Sequence, residues 1–488
     1  MNQSSSSTLN TKNKSIPLIV DLDGTLTPTD TLIESIIRLV KNNPLDGLKL
    51  PFWMLSGRAV FKSNIATRAG FSVENLPYRQ PLVDYLHGEK EKGRRIILAT
   101  AAHRSIADSV AKHLGLFDGV LASDEKRNLK GKTKLEVIRE TVGERFVYAG
   151  DSAADLPIWK AAEAAILVGT SSRVSKAVRR ITPIEREFPR INPGGIVWLR
   201  ALRVHQWLKN LLLFVPLLTA FSFLDGSKLT TMIVAFFAFS LAASATYVVN
   251  DLWDLENDRS HPRKRNRPFA NASITIPIGI SVAAGAMMVA LILAACISNG
   301  FLLMLILYIT LTSTYSWVLK EYVLIDVLML SLLYTLRILA GAVAISVPTS
   351  SWLLAFSVFI FFSLALVKRC SELVSLGQAG REAARGRDYR VTDLIVLWPL
   401  GIGAALCAVV VFGLFISAAE TQARYGSAQL LWFVAIGLIY WLARLWIKTA
   451  RGEMHDDPLV FALKDSGSRM TILAMLLATL VAHFIHIG

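Results

Sequence analysis

Thr230–Pro268 reads TTMIVAFFAFSLAASATYVVNDLWDLENDRSHPRKRNRP. Residues 230–250 of this stretch carry no charge, and about 20 largely apolar residues suffice for one helical crossing of a bilayer. The polar continuation begins at Asn250, with Asp251, Asp254 and Asp258 spaced three and four apart, and then Arg259, His261, Arg263, Lys264, Arg265 and Arg267. On a continuing helix that spacing puts three carboxylates on one face. Such a face repels itself unless a hard divalent cation sits between the carboxylates and bridges to phosphate oxygens, the usual environment of Mg²⁺. The plainer account is a solvated helix end whose acids pair with the bases that follow. The cost of three acids at a membrane boundary argues for the metal–diphosphate reading instead.

Outward from this stretch, nine segments come near the length and apolarity of a membrane span: 207–224, 230–250, 275–297, 300–319, 324–346, 351–367, 393–417, 428–447 and 470–487. Basic residues gather in alternate loops. Arg259, Arg263, Lys264, Arg265 and Arg267 follow the second segment; Lys368, Arg369, Arg381, Arg385, Arg387 and Arg390 follow the sixth; Lys448, Arg451, Lys464 and Arg469 follow the eighth. The opposite loops hold only Lys228 and Arg424. By the positive-inside rule this orients the chain with its N-terminal part and the acidic motif in the cytoplasm, at an inner membrane. The same distribution accounts for the formal net charge of +15 over 488 residues without nucleic acid, because the bases meet headgroups or phosphorylated substrates. Cys296, Cys370 and Cys407 have no metal-ligand spacing and imply no disulfide framework. Within the fifth segment Arg337 is costly at mid-depth, and faces a polar cavity or snorkels to an interface. Asp456, Asp457 and Asp465 offer a further polar wall.

The first 200 residues mix apolar runs with charges, as soluble α/β proteins do. Residues 1–14 read as a disordered polar tail without the apolar core of a signal peptide. A buried parallel strand at 17–20 leads into Asp21-Leu-Asp23-Gly24-Thr25; a strand at 95–100 ends in Thr100; a third, at 145–150, leads into Asp151 and Asp155. Acids at the carboxyl edges of such strands lie where open α/β sheets do chemistry. Residues 32–82 have a helical pattern and suit a small cap, and 171–200, with Arg173, Lys176, Arg179, Arg180 and three prolines, suit a basic linker on the membrane surface.

N-D-x-x-D-x-x-x-D after a second membrane span resembles the UbiA superfamily of intramembrane prenyltransferases, over about residues 196–488. The resemblance implies an all-α barrel around a polar cavity that binds Mg²⁺ and a diphosphate. His261-Pro-x-Lys264-x-x-Arg267-Pro is similar to the decaprenyl-phosphate phosphoribosyltransferase branch, as are Arg203-Val-His-Gln-Trp-Leu-Lys209-Asn210, Leu336-Arg337-x-x-Ala-Gly and Lys368-Arg369-x-x-Glu372-Leu. The second D-x-x-x-D motif of the aromatic prenyltransferases is missing from the basic loop after the sixth span. This branch moves 5-phosphoribose from phosphoribosyl pyrophosphate to a polyprenyl phosphate. The resemblance implies Asp251 and Asp254 in catalysis, Asp258 with them on the metal, and Lys209, Asn250, His261, Lys264, Arg267, Arg337, Lys368, Arg369 and Glu372 on substrate.

D-x-D-G-T, a strand-terminal Thr, a downstream Lys and G-D-x-x-x-D resemble the haloacid dehalogenase superfamily over about residues 15–185. By that resemblance Asp21 is the nucleophile and Asp23 the acid–base. Asp21, Asp23, Asp151 and Asp155 surround Mg²⁺, and Thr100 and Lys134 bind the phosphoryl oxygens; Lys130 and Lys132 are the alternatives to Lys134. The organisation implied is a tail at 1–14, a Rossmann-like α/β phosphatase domain at 15–185 with a helical cap, a linker at 186–200 and a nine-helix membrane domain at 201–488. Two successive steps follow: phosphoribosyl transfer to a polyprenyl phosphate, then removal of the 5-phosphate to give a lipid-linked ribose for pentose-donor synthesis. The competing readings are prenyl transfer from an isoprenoid diphosphate to a small acceptor, and a transporter or scaffold with a phosphatase-like sensor.

Overall fold

Leu18–Val20 (β1) is three apolar residues, all fully buried, as suits a strand covered on both faces. The computed structural model, which describes residues 16–70, 72–125, 127–190, 192–382, 387–454 and 457–485, places β1 mid-sheet. The tail at 1–14, Arg385 and Asp456 lie outside the described residues. Ile96–His103 (β2), Gly119–Ser123 (β3), Val147–Gly150 (β4), Ala164–Val168 (β5) and Ile184–Phe188 (β6) complete an all-parallel sheet in the order β3-β2-β1-β4-β5-β6. Register is set by Leu18 opposite Ile96 on one side and Val147 on the other. Alternate residues enter opposite faces: Leu18, Val20, Leu98 and Ala149 join one core, Ile19, Ile97, Tyr148 and Trp159 the other. The chain reverses direction across the sheet between β1 and β4, so residues after these two strands share the crevice at their carboxyl ends.

Between β1 and β2 lie Thr31–Asn42 (α1), Pro44–Gly47 (α2), Leu50–Leu55 (α3), Arg58–Ala69 (α4) and Gln80–Glu91 (α5). Asp30 caps α1, accepting from the amides of Leu32 and Ile33. The first four helices hold a small core of their own, Leu39, Ile65 and Ala69 under Ile36, Leu50, Trp53 and Phe61. Arg104–Leu114 (α6), Lys132–Val142 (α7), Leu156–Ala161 (α8) and Ser172–Arg179 (α9) alternate with the later strands. The basic stretch expected as a linker from 171 therefore begins as a helix and a strand, and the sheet runs three residues past the expected boundary at 185. Ile184-Glu-Arg-Glu-Phe188 pairs on one side only, and charges on an edge strand disguise it as a linker while guarding the edge. Gly195–Ala201 (α10) follows.

Contacts divide the chain into two units, Met1–Leu202 with Val248–Val282, and Arg203–Tyr247 with Ala283–Gly488. The first segment expected as a span, 207–224, is a 3₁₀ run, Val204–Phe214, continued by Val215–Thr219 (α11). Pro216 has no amide to donate, and positive φ at Arg203 and Phe221 bounds the segment. Its backbone lies against a later helix, where a Cβ on Gly341 would stand 2.1 Å from the Leu213 carbonyl. Among the described residues, eight helices are long and apolar enough to cross a membrane. They are Gly226–Trp253 (α12) and, after the short Leu255–Ser260 (α13), Ile276–Ile297 (α14), Asn299–Trp317 (α15), Ile325–Ala344 (α16), Ser351–Gln378 (α17) and Leu394–Ser417 (α18), then Leu431–Ala450 (α20) and Ser466–Phe484 (α22), with Ala419–Arg424 (α19) and Pro458–Lys464 (α21) between. The protein is thus a multi-pass membrane protein with an α/β domain ahead of a helical region.

Candidate functional site

Asp21 leaves β1 at the sheet's reversal, with its amide bonded to the Ala149 carbonyl at 3.0 Å. Its Oδ1 accepts from the Leu22 amide at 2.8 Å, and its Oδ2 lies 2.8 Å from Lys134 Nζ. Lys134 also donates to the Tyr148 hydroxyl at 3.1 Å, and that hydroxyl donates to Asp155 Oδ1 at 2.9 Å. Lys134 is 3 % exposed and lies in the first turn of α7, whereas Lys130 and Lys132 are exposed, so Lys134 is the lysine in contact with the nucleophile candidate. Asp155 is fixed by the amide and hydroxyl of Ser152, both at 3.2 Å. Asp21, Asp151 and Asp155 can each direct one oxygen into a common space, all within 4.8 Å of one another. Gly24 permits that approach: its φ is +78°, and a Cβ there would meet Asp151 Oδ2 at 2.3 Å.

Burial raises the pKa of Asp21, opposed by the Lys134 ammonium. Burial, reinforced by Asp155 and Asp21, pushes Asp151 up to about 7. For Lys134 burial works the other way, but the Asp21 and Asp155 carboxylates outweigh it and hold its pKa above the ordinary value. Three acids crowded beside one lysine are over-charged for a dry crevice, and they suit a divalent cation.

Asp23 departs from the expected metal set. Its carboxylate turns toward α1, accepting from the Thr31 amide at 2.9 Å and the Thr31 hydroxyl at 3.2 Å, and burial, then the nearby Asp30, pushes its pKa up to about 7. Its bonds to Thr31 keep it apart from the three converging acids, and a carboxyl that holds a proton near neutrality suits a proton donor. Thr100 is fully buried, its hydroxyl accepting from the Ala102 amide at 3.0 Å. Asp21, Asp23, Thr100, Lys134, Asp151 and Asp155 line one cavity of about 610 Å³, roofed by Leu32, Met54, Phe61 and Ile65 of the cap. Lys62, reaching from α4 to the Ala101 carbonyl at 2.6 Å and Asn128 at 2.8 Å, also lines it. Neither Lys62 nor Tyr148 was legible as a site residue: one stands in the cap, the other in a strand whose alternation reads as core.

The helix through the acidic motif is interrupted at one residue where the sequence suggested continuity. α12 ends at Trp253, Asp254 sits in the turn, and α13 restarts at Leu255. Arg267 bridges two of the acids, 3.1 Å from Asp251 and 2.6 Å from Asp258, while Asp254 lies 3.8 Å from Lys41. The three carboxylates consequently do not form a common ligand cluster; among the described residues only Asp21, Asp151 and Asp155 do. Lys264 is 4.0 Å from Asp258. His261 is exposed, its Nδ1 accepting from the amides of Arg263 and Lys264. Asn250 Oδ1 is buried and has no hydrogen-bond partner among the described residues.

In the second unit Lys209 and Lys368 converge on Asp457, at 2.9 and 3.6 Å. Two ammonium groups thus share one carboxylate. Arg337 is 5 % exposed and does not snorkel: it donates to Asn210 Oδ1 at 2.9 Å, the Tyr308 hydroxyl at 3.0 Å and the Leu333 carbonyl at 2.7 Å. Arg369, also buried, pairs with Asp326 at 2.6 Å and Glu372 at 2.5 Å, and Arg387 adds a contact to Glu372 at 3.1 Å. Arg369 is thereby neutralised from inside the bundle. Asp326 escaped notice in the sequence, although a lone acid opening an apolar helix is the signal that finds such partners. Asp465 pairs with Arg444 and caps α22.

The α/β crevice is of the phosphoryl-transfer kind, and the second part is a membrane bundle with polar side chains inside. Residues 18–160 match the haloacid dehalogenase-like hydrolases, and residues 212–464, more than half of the chain, match the UbiA prenyltransferase family. The chain belongs to the UbiA prenyltransferase family and carries a haloacid dehalogenase-like domain in front. It is 38% identical over 462 residues to the uncharacterised protein y4nM of Sinorhizobium fredii, covering 93% of this chain and 89% of the relative. Nodulation protein NoeC of Azorhizobium caulinodans is 34% identical over 284 residues, 58% of this chain and 92% of NoeC. The decaprenyl-phosphate phosphoribosyltransferase of Mycobacterium tuberculosis is 30% identical over 297 residues, 58% of this chain and 91% of that protein.

Proposed function

We propose that the membrane part transfers 5-phosphoribose from phosphoribosyl pyrophosphate to a polyprenyl phosphate, and that the α/β domain then removes the 5-phosphate. The first step forms a bond between an oxygen of the lipid phosphate and C1 of the ribose as the C1–pyrophosphate bond breaks. Cations are needed for two anionic reactants; the candidates are Lys209 and Lys368 in one unit and, separately, Lys264 and Arg267 in the other. Asp251 and Asp258, both paired with Arg267, and Asp254 beside Lys41 would have to be brought onto one face to hold Mg²⁺, which when bound neutralises the departing pyrophosphate. Arg337 orients Asn210 rather than touching substrate, and Arg369 does the same for Glu372. The soluble domain lies in the cytoplasm, and the protein sits in the inner membrane.

In the second step an Asp21 oxygen attacks phosphorus and the ester bond to the 5-oxygen breaks, while Asp23 gives that oxygen its proton. Asp23, now a carboxylate, takes a proton from the water that releases phosphate from Asp21. Lys134 holds Asp21 in the attacking orientation, Thr100 and Lys134 receive the phosphoryl oxygens, and Asp21, Asp151 and Asp155 would hold Mg²⁺, which offsets the charge of the phosphoryl group.

The reading is supported chiefly by one observation: a chain with an Asp21–Lys134–Asp151–Asp155 centre also carries a membrane part 30% identical to a decaprenyl-phosphate phosphoribosyltransferase. Its test is incubation of the full-length protein with Mg²⁺, phosphoribosyl pyrophosphate and a polyprenyl phosphate, followed by mass spectrometry of the lipid. Wild type should yield polyprenyl-phosphoryl-ribose and Asp21→Asn its 5-phosphate. Consumption of an isoprenoid diphosphate in place of phosphoribosyl pyrophosphate would overturn the substrate assignment, and normal dephosphorylation by Asp21→Asn would overturn the assignment of the second step.

A further inference from the structure

The cap carries an apolar face that its own fold leaves uncovered. Leu45, Leu48, Phe52, Met54 and Leu55, all in or beside α2 and α3, are 68, 71, 71, 66 and 86 % exposed. Leu50 and Trp53 of the same segment turn inward onto the Leu39–Ile65–Ala69 core, so the segment is seated, with apolar side chains on both sides. A soluble domain rarely presents so many large apolar side chains in one short stretch unless they meet a partner or a membrane.

Position selects the membrane. α1, which leads directly into this face, is held to the residues that end α12: Lys41 Nζ donates to the Trp253 carbonyl at 3.1 Å, and Arg38 pairs with Glu256 at 2.8 Å. Trp253 is the last residue of a helix long and apolar enough to cross a bilayer. Two further ties fix α1 there, both from Arg259 to Glu34 at 2.7 Å. The uncovered face thus begins four residues after a lysine bound to the end of a helix long and apolar enough to cross a bilayer, and a helical segment with an apolar face beside a membrane helix end is suited to lie in the interface. Met54 belongs both to this face and to the lining of the Asp21 cavity.

We infer that the α2–α3 face of the cap seats in the bilayer surface and contacts lipid chains, so that the cavity behind it receives a phosphate ester carried on a membrane lipid rather than one free in solution. The second half of this statement rests on the phosphatase reading above; the seating does not. The test uses full-length protein in nanodiscs of phosphatidylcholine and phosphatidylglycerol. A spin label is placed at Leu55→Cys, or at Glu140→Cys on α7 as a control, with Cys296, Cys370 and Cys407 replaced by Ala. The label at 55 should be relaxed by oxygen in preference to a water-soluble nickel chelate, and the label at 140 the reverse. Nickel access at 55, or shielding from both agents as by a second copy or a protein partner, overturns the seating. In parallel, the variant L48E/F52E/L55E should keep its turnover of p-nitrophenyl phosphate and lose about tenfold in kcat/KM on a lipid-linked phosphate in the nanodisc. Equal turnover of the lipid substrate overturns the substrate claim. Failure of wild type on both substrates would refute the phosphatase reading, while the label depth would still decide the seating.

Discussion

Replacing Glu34 by Gln should loosen α1 from the segment that follows α12. Glu34 accepts from both Arg259 nitrogens at 2.7 Å and from the Thr29 hydroxyl at 2.5 Å, and the side chains of Glu34 and Arg259 are only 6 and 8 % exposed. Removing one charge of a buried pair leaves the other desolvated, at a cost of about 3 kcal/mol. That corresponds to about a 150-fold rise in the opening equilibrium. The neighbouring Arg38–Glu256 pair has a similar distance of 2.8 Å, but its side chains are 27 and 44 % exposed, so Arg38→Ala should cost less than about 1 kcal/mol. Hydrogen exchange of the full-length protein in nanodiscs, followed by mass spectrometry on peptides covering 31–42 and 254–270, reads both openings. E34Q should exchange faster in both peptides, and E34Q/R259M should regain most of the protection because neither charge is left alone. Unchanged exchange in E34Q, or a larger effect from R38A, would refute the reasoning that burial rather than distance sets the strength of this contact.

Three other changes follow from the geometry. Gly24→Ala places a Cβ against the Asp151 carboxylate and strains a backbone at φ +78°, so phosphatase turnover should fall at least about tenfold, with a backbone cost of about 1–3 kcal/mol; transferase activity should be unaltered, and the two lipid products report each. The raised pKa values of Asp23 and Asp151, about 7 against an ordinary 3.8, mean that the protonated carboxyls favour the folded state. Their contribution is complete below pH 3.8 and is lost as pH rises toward 7. Since Mg²⁺ takes the carboxylate form, it should raise the melting temperature of the soluble domain more at pH 8 than at pH 5 in detergent-solubilised full-length protein, and an equal gain at both would count against the metal site. Arg369→Met leaves Asp326, whose side chain is fully buried, with the Tyr389 hydroxyl at 2.5 Å as its remaining side-chain partner among the described residues. The folded yield of the membrane part should drop sharply, and R369M/D326N should recover much of it, as measured by size exclusion in detergent.

The sequence by itself determined the two-part architecture, the acids gathered at the strand ends of the α/β domain and most of the membrane spans. Those features are written in local code: strands too apolar to be anything but buried, acids placed where strands end, and uncharged runs as long as a bilayer is thick. Even Lys134 was favoured over its neighbours from its place at the start of a helix, although only packing against Asp21 and Tyr148 distinguishes it physically. The tertiary structure decided whatever depends on which side chains meet. It set Asp23 against Thr31, interrupted the helix of the acidic motif at Asp254, and made the segment at 207–224 a 3₁₀ run, with Leu213 against Gly341, followed by a short helix. It also spent Arg369 on Asp326, and brought Glu34 to Arg259 across more than two hundred residues of chain. Residue type and spacing state what a group is able to do, but a charge acquires its role from the desolvation and partners it finds when the chain closes on itself, and those are non-local.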